Sequence, residues 1–135
     1  MRSLILLFIF LFSSSSFAHG IIFITNVKHS DGYIDVKIYD NKEGFLKEDL
    51  ARETVRKKAT KGRIVVPLSK IHEGKIAIVV YHDEDSNGKM KTGLFWRPKE
   101  GYAFSNNYKP KGHPKFSKTA IELIHGKPVK IKLNY

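Results

Sequence analysis

YIDVKIY, residues 33–39, places Ile34, Val36 and Ile38 at every second position, with Asp35, Lys37 and Tyr39 between them. A period of two sends alternate side chains to opposite faces of an extended chain, so this stretch predicts a strand with one apolar face. The alternation recurs at Ile76, Ile78 and Val80, and again at Val129, Ile131, Leu133 and Tyr135, where Lys130, Lys132 and Asn134 fill the other face. Ile21 to Val27, Arg63 to Leu68 and Phe116 to Ile124 are rich in β-branched and aromatic residues and read as strands too. Ser30-Asp31-Gly32, Glu73-Gly74 and His125-Gly126 supply turns in which glycine takes a positive φ. Short strands punctuated in this way predict an all-β antiparallel sandwich of the immunoglobulin or transthyretin kind; an open sheet with one helix is the other arrangement the pattern allows. The stretch Lys47 to Thr60, KEDLARETVRKKAT, sets Leu50, Ala51 and Val55 at near-helical spacing and predicts one or two helical turns in a long connection.

Ahead of these strands the chain opens MRSLILLFIFLFSSSSFAHG, with Arg2, an apolar run from Leu4 to Phe12, and the small-x-small triplet Ser16-Phe17-Ala18. That order predicts a secretory signal peptide over 1–18, because the apolar run is far short of the about 20 residues a membrane-spanning helix needs. The expected mature chain starts at His19 and forms a single domain, 19–135, in the periplasm or outside the cell. It has no cysteine, so neither a lipid-anchoring thiol nor a disulfide is available, and stability must come from packing, backbone pairing or a metal. Lys and Arg number 24 against 13 Asp and Glu, a net charge of +11. Such an excess keeps a monomer soluble and favours acidic partners, which for an exported protein means an anionic component of the cell envelope. No basic motif interleaved with aromatics points to nucleic acid.

Four of the 10 glycines and three of the 5 prolines fall between Gly88 and Pro114 together with Trp96, Tyr102, Phe104 and Tyr108, and no strand periodicity shows there: a connection too long and too aromatic to be idle or disordered. At its start, HDEDSNGKMKTG (His82 to Gly93) spaces Asp83, Asp85, Asn87 and Gly88 as D-x-D-x-N-G. Oxygen side chains at the first, third and fifth places of such a loop wrap a hard cation, the glycine allows the sharp turn, and the next carbonyl, that of Lys89, points inward. Asp83, Asp85, Asn87 and Lys89 are therefore candidate calcium ligands, and calcium is the one cofactor expected. The closing acid of a full EF-hand loop falls on Leu94, so the missing oxygens must come from Glu100, Ser105, Asn106 or Asn107. The competing reading is a plain Asx turn with its acids in solvent.

The run from Gly74 to Asn107 resembles the bacterial family called domain of unknown function 2141, in HDEDSNGKM (His82 to Met90) and PKEGYAFSNN (Pro98 to Asn107). Pro114-Lys115-Phe116, Tyr135 and YIDVKIYDN (Tyr33 to Asn41) extend the similarity over nearly the whole mature chain. The resemblance implies export and a β-sandwich, and brings no catalytic residue with it. This chain departs from the family pattern at Lys91 and Gly93, where an acid and an amide are usual. A lysine in that place opposes a dication.

Two further readings compete. An amino-terminal His19 with His29, His82 or His113 as second arm would chelate copper in a histidine brace, as in exported polysaccharide oxidases. Trp96, Glu100, Tyr102, Phe104, Asn106 and Asn107 would instead form a ligand-binding platform on the aromatic loop, Tyr108 with them; the same rings could equally plug one end of a sandwich. No Gly-x-Ser-x-Gly and no cysteine nucleophile is present, and no catalytic residue is assigned. The expectation is a non-enzymatic binding or structural module, with the copper oxidase as its alternative.

Overall fold

The computed structural model describes residues 20–90, 92–93 and 97–135, with backbone alone at 92–93 and 97. The expected leader, His19, Lys91, Leu94 and Trp96 lie outside the described residues. Strands run in chain order as β1 (Ile21–Val27), β2 (Tyr33–Tyr39), β3 (Glu53–Lys58), β4 (Gly62–Pro67), β5 (Gly74–Asp83), β6 (Thr92–Gly93), β7 (Arg97–Pro98), β8 (Tyr102–Phe104), β9 (Ile121–Leu123) and β10 (Val129–Lys132). One helical turn, α1 (Phe116–Thr119), precedes β9.

These strands make an all-β sandwich. One sheet has the order β10-β1-β4, the other β3-β2-β5-β8, with β9 also pairing β5. All pairings are antiparallel except β1 with β10, which run parallel from Ile22 beside Val129 to Thr25 beside Lys132. Alternation explains the core: Ile22 and Ile24, Ile64 and Val66, and Ile131 point inward from the small sheet. They meet Ile34, Val36, Ile38, Ile78 and Val80 of the large one, none of them more than 4 % exposed. Truncating any of these to alanine would cost about 2–5 kcal/mol. The β3–β4 hairpin joins the sheets at one edge. At the other, Tyr102 and Asn134 exchange two backbone hydrogen bonds of 2.8 Å, tying β8 to the chain beyond β10.

Alternation misleads in one respect. Asp35 and Lys37, on the polar face of β2, are only 3 % and 8 % exposed. The large sheet is covered on both sides, because Phe45, Leu46, Met90, Tyr102, Tyr108 and Phe116 pack around Tyr39, Val79 and Phe104 on its outer face. Lys37 survives there by pairing with Glu48 at 2.7 Å.

Three expectations about elements are corrected. Lys47 to Thr60 does hold one helical turn, a 3-10 turn at Glu48–Leu50, but the rest is not a connection: it becomes β3, in register with β2 from Ile38 beside Glu53 to Tyr33 beside Lys58. Three apolar residues at helical spacing weigh less than a full ladder of hydrogen bonds. Phe116 to Ile124 is not one strand but α1 followed by β9, with extended backbone at Ala120 between them. The connection from Gly88 to Pro114 is not free of strand, since it contributes β8 to the large sheet. The turn glycines Gly32, Gly74 and Gly126 have φ of 67°, 109° and 76°, as their sequence predicts.

Candidate functional site

The last two residues of β5 point opposite ways, as neighbours in a strand must. His82 turns to the core side and Asp83 to the outer face, so the two do not form an acid/base pair; both are fully buried.

Asp83 organises the acidic loop. Its Oδ1 accepts the Asn87 N–H at 3.0 Å and its Oδ2 the Gly88 N–H at 2.8 Å, closing an Asx-type turn that Ser86 (φ 61°) and Gly88 (φ 78°) permit. Asp85 Oδ2 accepts from Asn87 Nδ2 at 3.2 Å, and Asn87 Oδ1 accepts the Lys89 N–H at 2.7 Å. Local bonding thus gathers the side chains of the three places that the D-x-D-x-N-G spacing assigns.

Glu100 is brought to the same place from the far end of the loop. The Glu84 N–H donates to Glu100 Oε1 at 3.1 Å, and the Gly101 N–H to Glu84 Oε1 at 3.4 Å, a reciprocal clasp between the two ends. The His82 N–H, bonded to the Gly101 carbonyl at 2.7 Å, sets the register of that clasp. As a result Asp83, Asp85 and Glu100 each present a carboxylate oxygen within 4.8 Å of the others. Asp83 is 0 % and Glu100 7 % exposed. Gathering three carboxylates where two are removed from water is unfavourable unless a cation answers them.

Part of that answer is Arg56, on β3. Its guanidinium bonds Asp83 Oδ2 through Nη2 at 2.7 Å and Asp35 Oδ2 through Nη1, and lies 4.2 Å above the Tyr33 ring. The two carboxylates hold the Arg56 proton more tightly still, Asp83 foremost. Burial pushes the Asp35 carboxyl above the ordinary range even so, with Arg56 pulling against it. Sequence reasoning missed both residues: Asp35 reads as a solvent-facing strand residue, and Arg56 sat in the stretch read as helical. The available signal was an acid in a central strand with an arginine two positions into the next polar face.

The remaining candidates disperse. Ser105 is buried and committed, accepting the Ile78 N–H at 2.9 Å and donating to the Thr119 carbonyl at 2.6 Å. Asn106 donates to the Lys118 carbonyl at 3.0 Å, and Asn107 is exposed, both with positive φ. Phe104 is buried between Tyr102 and Tyr108, each ring 6.0 Å away edge-on. These rings pack over the large sheet; Trp96 lies outside the described residues.

A second group of metal-binding types, His29, His82 and Glu84, meets at the core end of the sandwich. His82 Nε2 faces the Asp31 carbonyl at 2.6 Å and must carry the proton, so Nδ1 accepts from the Tyr135 hydroxyl at 2.7 Å. Both its nitrogens are thereby engaged. His29 stacks on it at 4.7 Å, with Nε2 3.3 Å from Glu84 Oε2. Its Nδ1 lies 3.2 Å from Asp31 Oδ2 but out of line for a hydrogen bond. Of the brace partners expected for His19, His113 is exposed and bonds the Pro114 carbonyl at 3.1 Å.

Fold and site together define a cysteine-free β-sandwich whose central strand ends in an Asx-type acidic loop closed by a returning glutamate. The chain belongs to the family of uncharacterised proteins conserved in bacteria, domain of unknown function 2141, which it matches over residues 22–132. Both loop runs, His82 to Met90 and Pro98 to Asn107, fall inside that match. No curated protein matches the chain, and no solved structure does. No helix among the described residues is long and apolar enough to cross a membrane.

Proposed function

We propose that the protein is an exported, non-catalytic module whose acidic loop binds calcium, which steadies the end of the sandwich where the loop sits. The observation that carries this reading is the return of Glu100, which supplies beside Asp83 and Asp85 the closing carboxylate that the loop's own twelfth place lacks. All the offered ligands are hard oxygens: three carboxylates, the Asn87 side-chain carbonyl and the Lys89 backbone carbonyl. That set suits calcium, with water completing the six to eight oxygens it takes, and suits thiophilic metals poorly. Arg56 balances one charge of the group and leaves a net negative site for a dication.

The test is thermal unfolding of the chain from His19 onward with calcium, magnesium, copper or chelator, repeated on Asp83→Ala with Asp85→Ala and on Glu100→Gln. Calcium at a hundredfold excess over its dissociation constant should add about 2.7 kcal/mol of stability. The double variant should lose that shift and Glu100→Gln most of it. A wild-type midpoint indifferent to calcium sinks the proposal and leaves the loop as a turn; a shift with copper alone favours the oxidase.

A further inference from the structure

Charge is segregated along this chain. Residues 1–30, 54–72 and 123–135 contain no Asp or Glu, and the whole excess of +11 lies in them; elsewhere the 13 acidic residues are matched by equal numbers of Lys and Arg. The three strands of the small sheet, β1, β4 and β10, fall one in each of these stretches, while Arg56, Lys57 and Lys58 of the second stretch stand on β3 at the edge of the large sheet.

Alternation then sorts that sheet's side chains. Ile22, Ile24, Ile64, Val66 and Ile131 are spent on the core, which leaves Ile21, Phe23, Thr25, Arg63, Val65, Pro67, Lys130 and Lys132 on the outward face. Register orders them into an apolar stripe, with Ile21 beside Pro67 and Phe23 beside Val65. Lysines flank it, with Lys130 beside Phe23 and Lys132 beside Thr25. The Arg63 guanidinium stands 5.1 Å over the Phe23 ring, and Ile21 is 37 % exposed. None of Arg63, Lys130 and Lys132 pairs with a carboxylate among the described residues. At the β10 edge a cleft of about 210 Å³ sets the same two lysines beside Thr25, Asn107 and Asn134.

We propose that this outward face docks on an anionic, phosphate-bearing lipid surface. A solubilising face has no use for a stripe in which Ile21 and Pro67 are exposed and Phe23 and Val65 half-exposed, and a purely polyanionic partner offers nothing to cover one. A lipid interface takes both, apolar side chains entering the head-group boundary while lysines and arginines meet phosphates. The inference is independent of the calcium loop, which lies on the other sheet.

The experiment is co-sedimentation of the chain from His19 onward, which holds both sheets, with vesicles of phosphatidylcholine with and without phosphatidylglycerol. Chelator is present throughout, so that the state of the acidic loop has no bearing. Partition onto the anionic vesicles alone, weakening as salt rises, is expected. Lys130→Glu with Lys132→Glu should weaken it about 25-fold, roughly fivefold for each basic residue lost. Lys42→Glu with Lys47→Glu, the same change of net charge in the balanced part of the chain, should leave it within a few-fold. Unfolding midpoints near wild type for both exposed pairs certify the comparison. Absence of binding to anionic vesicles, or equal loss in the two double variants, overturns the proposal. Unchanged binding by Phe23→Ser does so too, since the partner would then be a soluble polyanion.

Discussion

Gly32 turns the chain into β2 with φ 67°, and a Cβ there would stand 1.9 Å from the backbone oxygen of Asp83. Nothing flexible lies in the way; the obstacle is the strand that leads into the acidic loop. Gly32→Ala should therefore cost about 3 kcal/mol or more, read as a lower denaturation midpoint, since strain and overpacking add. Gly101 differs in kind, because its absent Cβ would meet the Tyr135 ring at 2.4 Å, and that ring belongs to a half-exposed side chain able to swing away. What would go with it is the hydroxyl that serves His82 Nδ1. We expect Gly101→Ala and Tyr135→Phe each to cost about 1–2 kcal/mol, and the pair together no more than Gly101→Ala alone. Additive losses in that double-mutant cycle would show that Tyr135 does not move. The turn at Gly32 was legible in the sequence, but the close approach at either glycine was not, because the atoms that forbid a side chain come from residues far along the chain.

Elements tell a similar story about what could be read in advance. β2, β5 and β10 are legible because each alternates over several residues. β3 was not, as its Glu53, Val55 and flanking cations satisfy a helical spacing almost as well; only the partner strand decides. The loop's first half was legible from spacing alone, and Glu100 was among the oxygen donors named for its second half. Arg56 was invisible, although it couples β3 to the loop by holding Asp83 and Asp35 together. Arg56→Gln leaves those two buried carboxylates facing each other. With the arginine side chain 35 % exposed, water screens part of the loss, and about 2 kcal/mol is expected from chemical denaturation without metal. The same variant should bind calcium severalfold more tightly by titration calorimetry, as a repelling charge is gone. Weaker calcium binding would mean that Arg56 positions Asp83 rather than competing for it.

For the molecule as a whole, the double-sided burial of the large sheet governs its response to alkali. Burial pushes the Tyr39 phenol up to about 12 from an ordinary 10.0, with Glu48 and Asp49 adding to the shift. Tyr81 and Tyr135 are displaced in the same direction, chiefly by burial. A phenol with a higher pKa folded than unfolded holds its proton more tightly in the fold. The stability this lends is complete below pH 10 and is lost by about pH 12. The unfolding midpoint should fall across that window, and Tyr39→Phe should flatten part of the fall. A variant that falls as steeply as wild type would acquit Tyr39. The sandwich itself could be read from the sequence, but not the cover over its outer face, which is assembled from loops whose apolar residues follow no period.

The parallel pairing of β1 with β10 bears on the order of events in the cell. Asn26 donates its side-chain N–H to the Leu133 carbonyl, 107 residues further on, so β1 waits for β10 before their sheet can close. Contacts between such distant parts of a chain form late and slowly. Until β10 is made, β1 has β4 on one side and an unpaired edge on the other, so the small sheet stays open. The topology thus acts as a timer, postponing the closed state of the small sheet until β10 reaches β1.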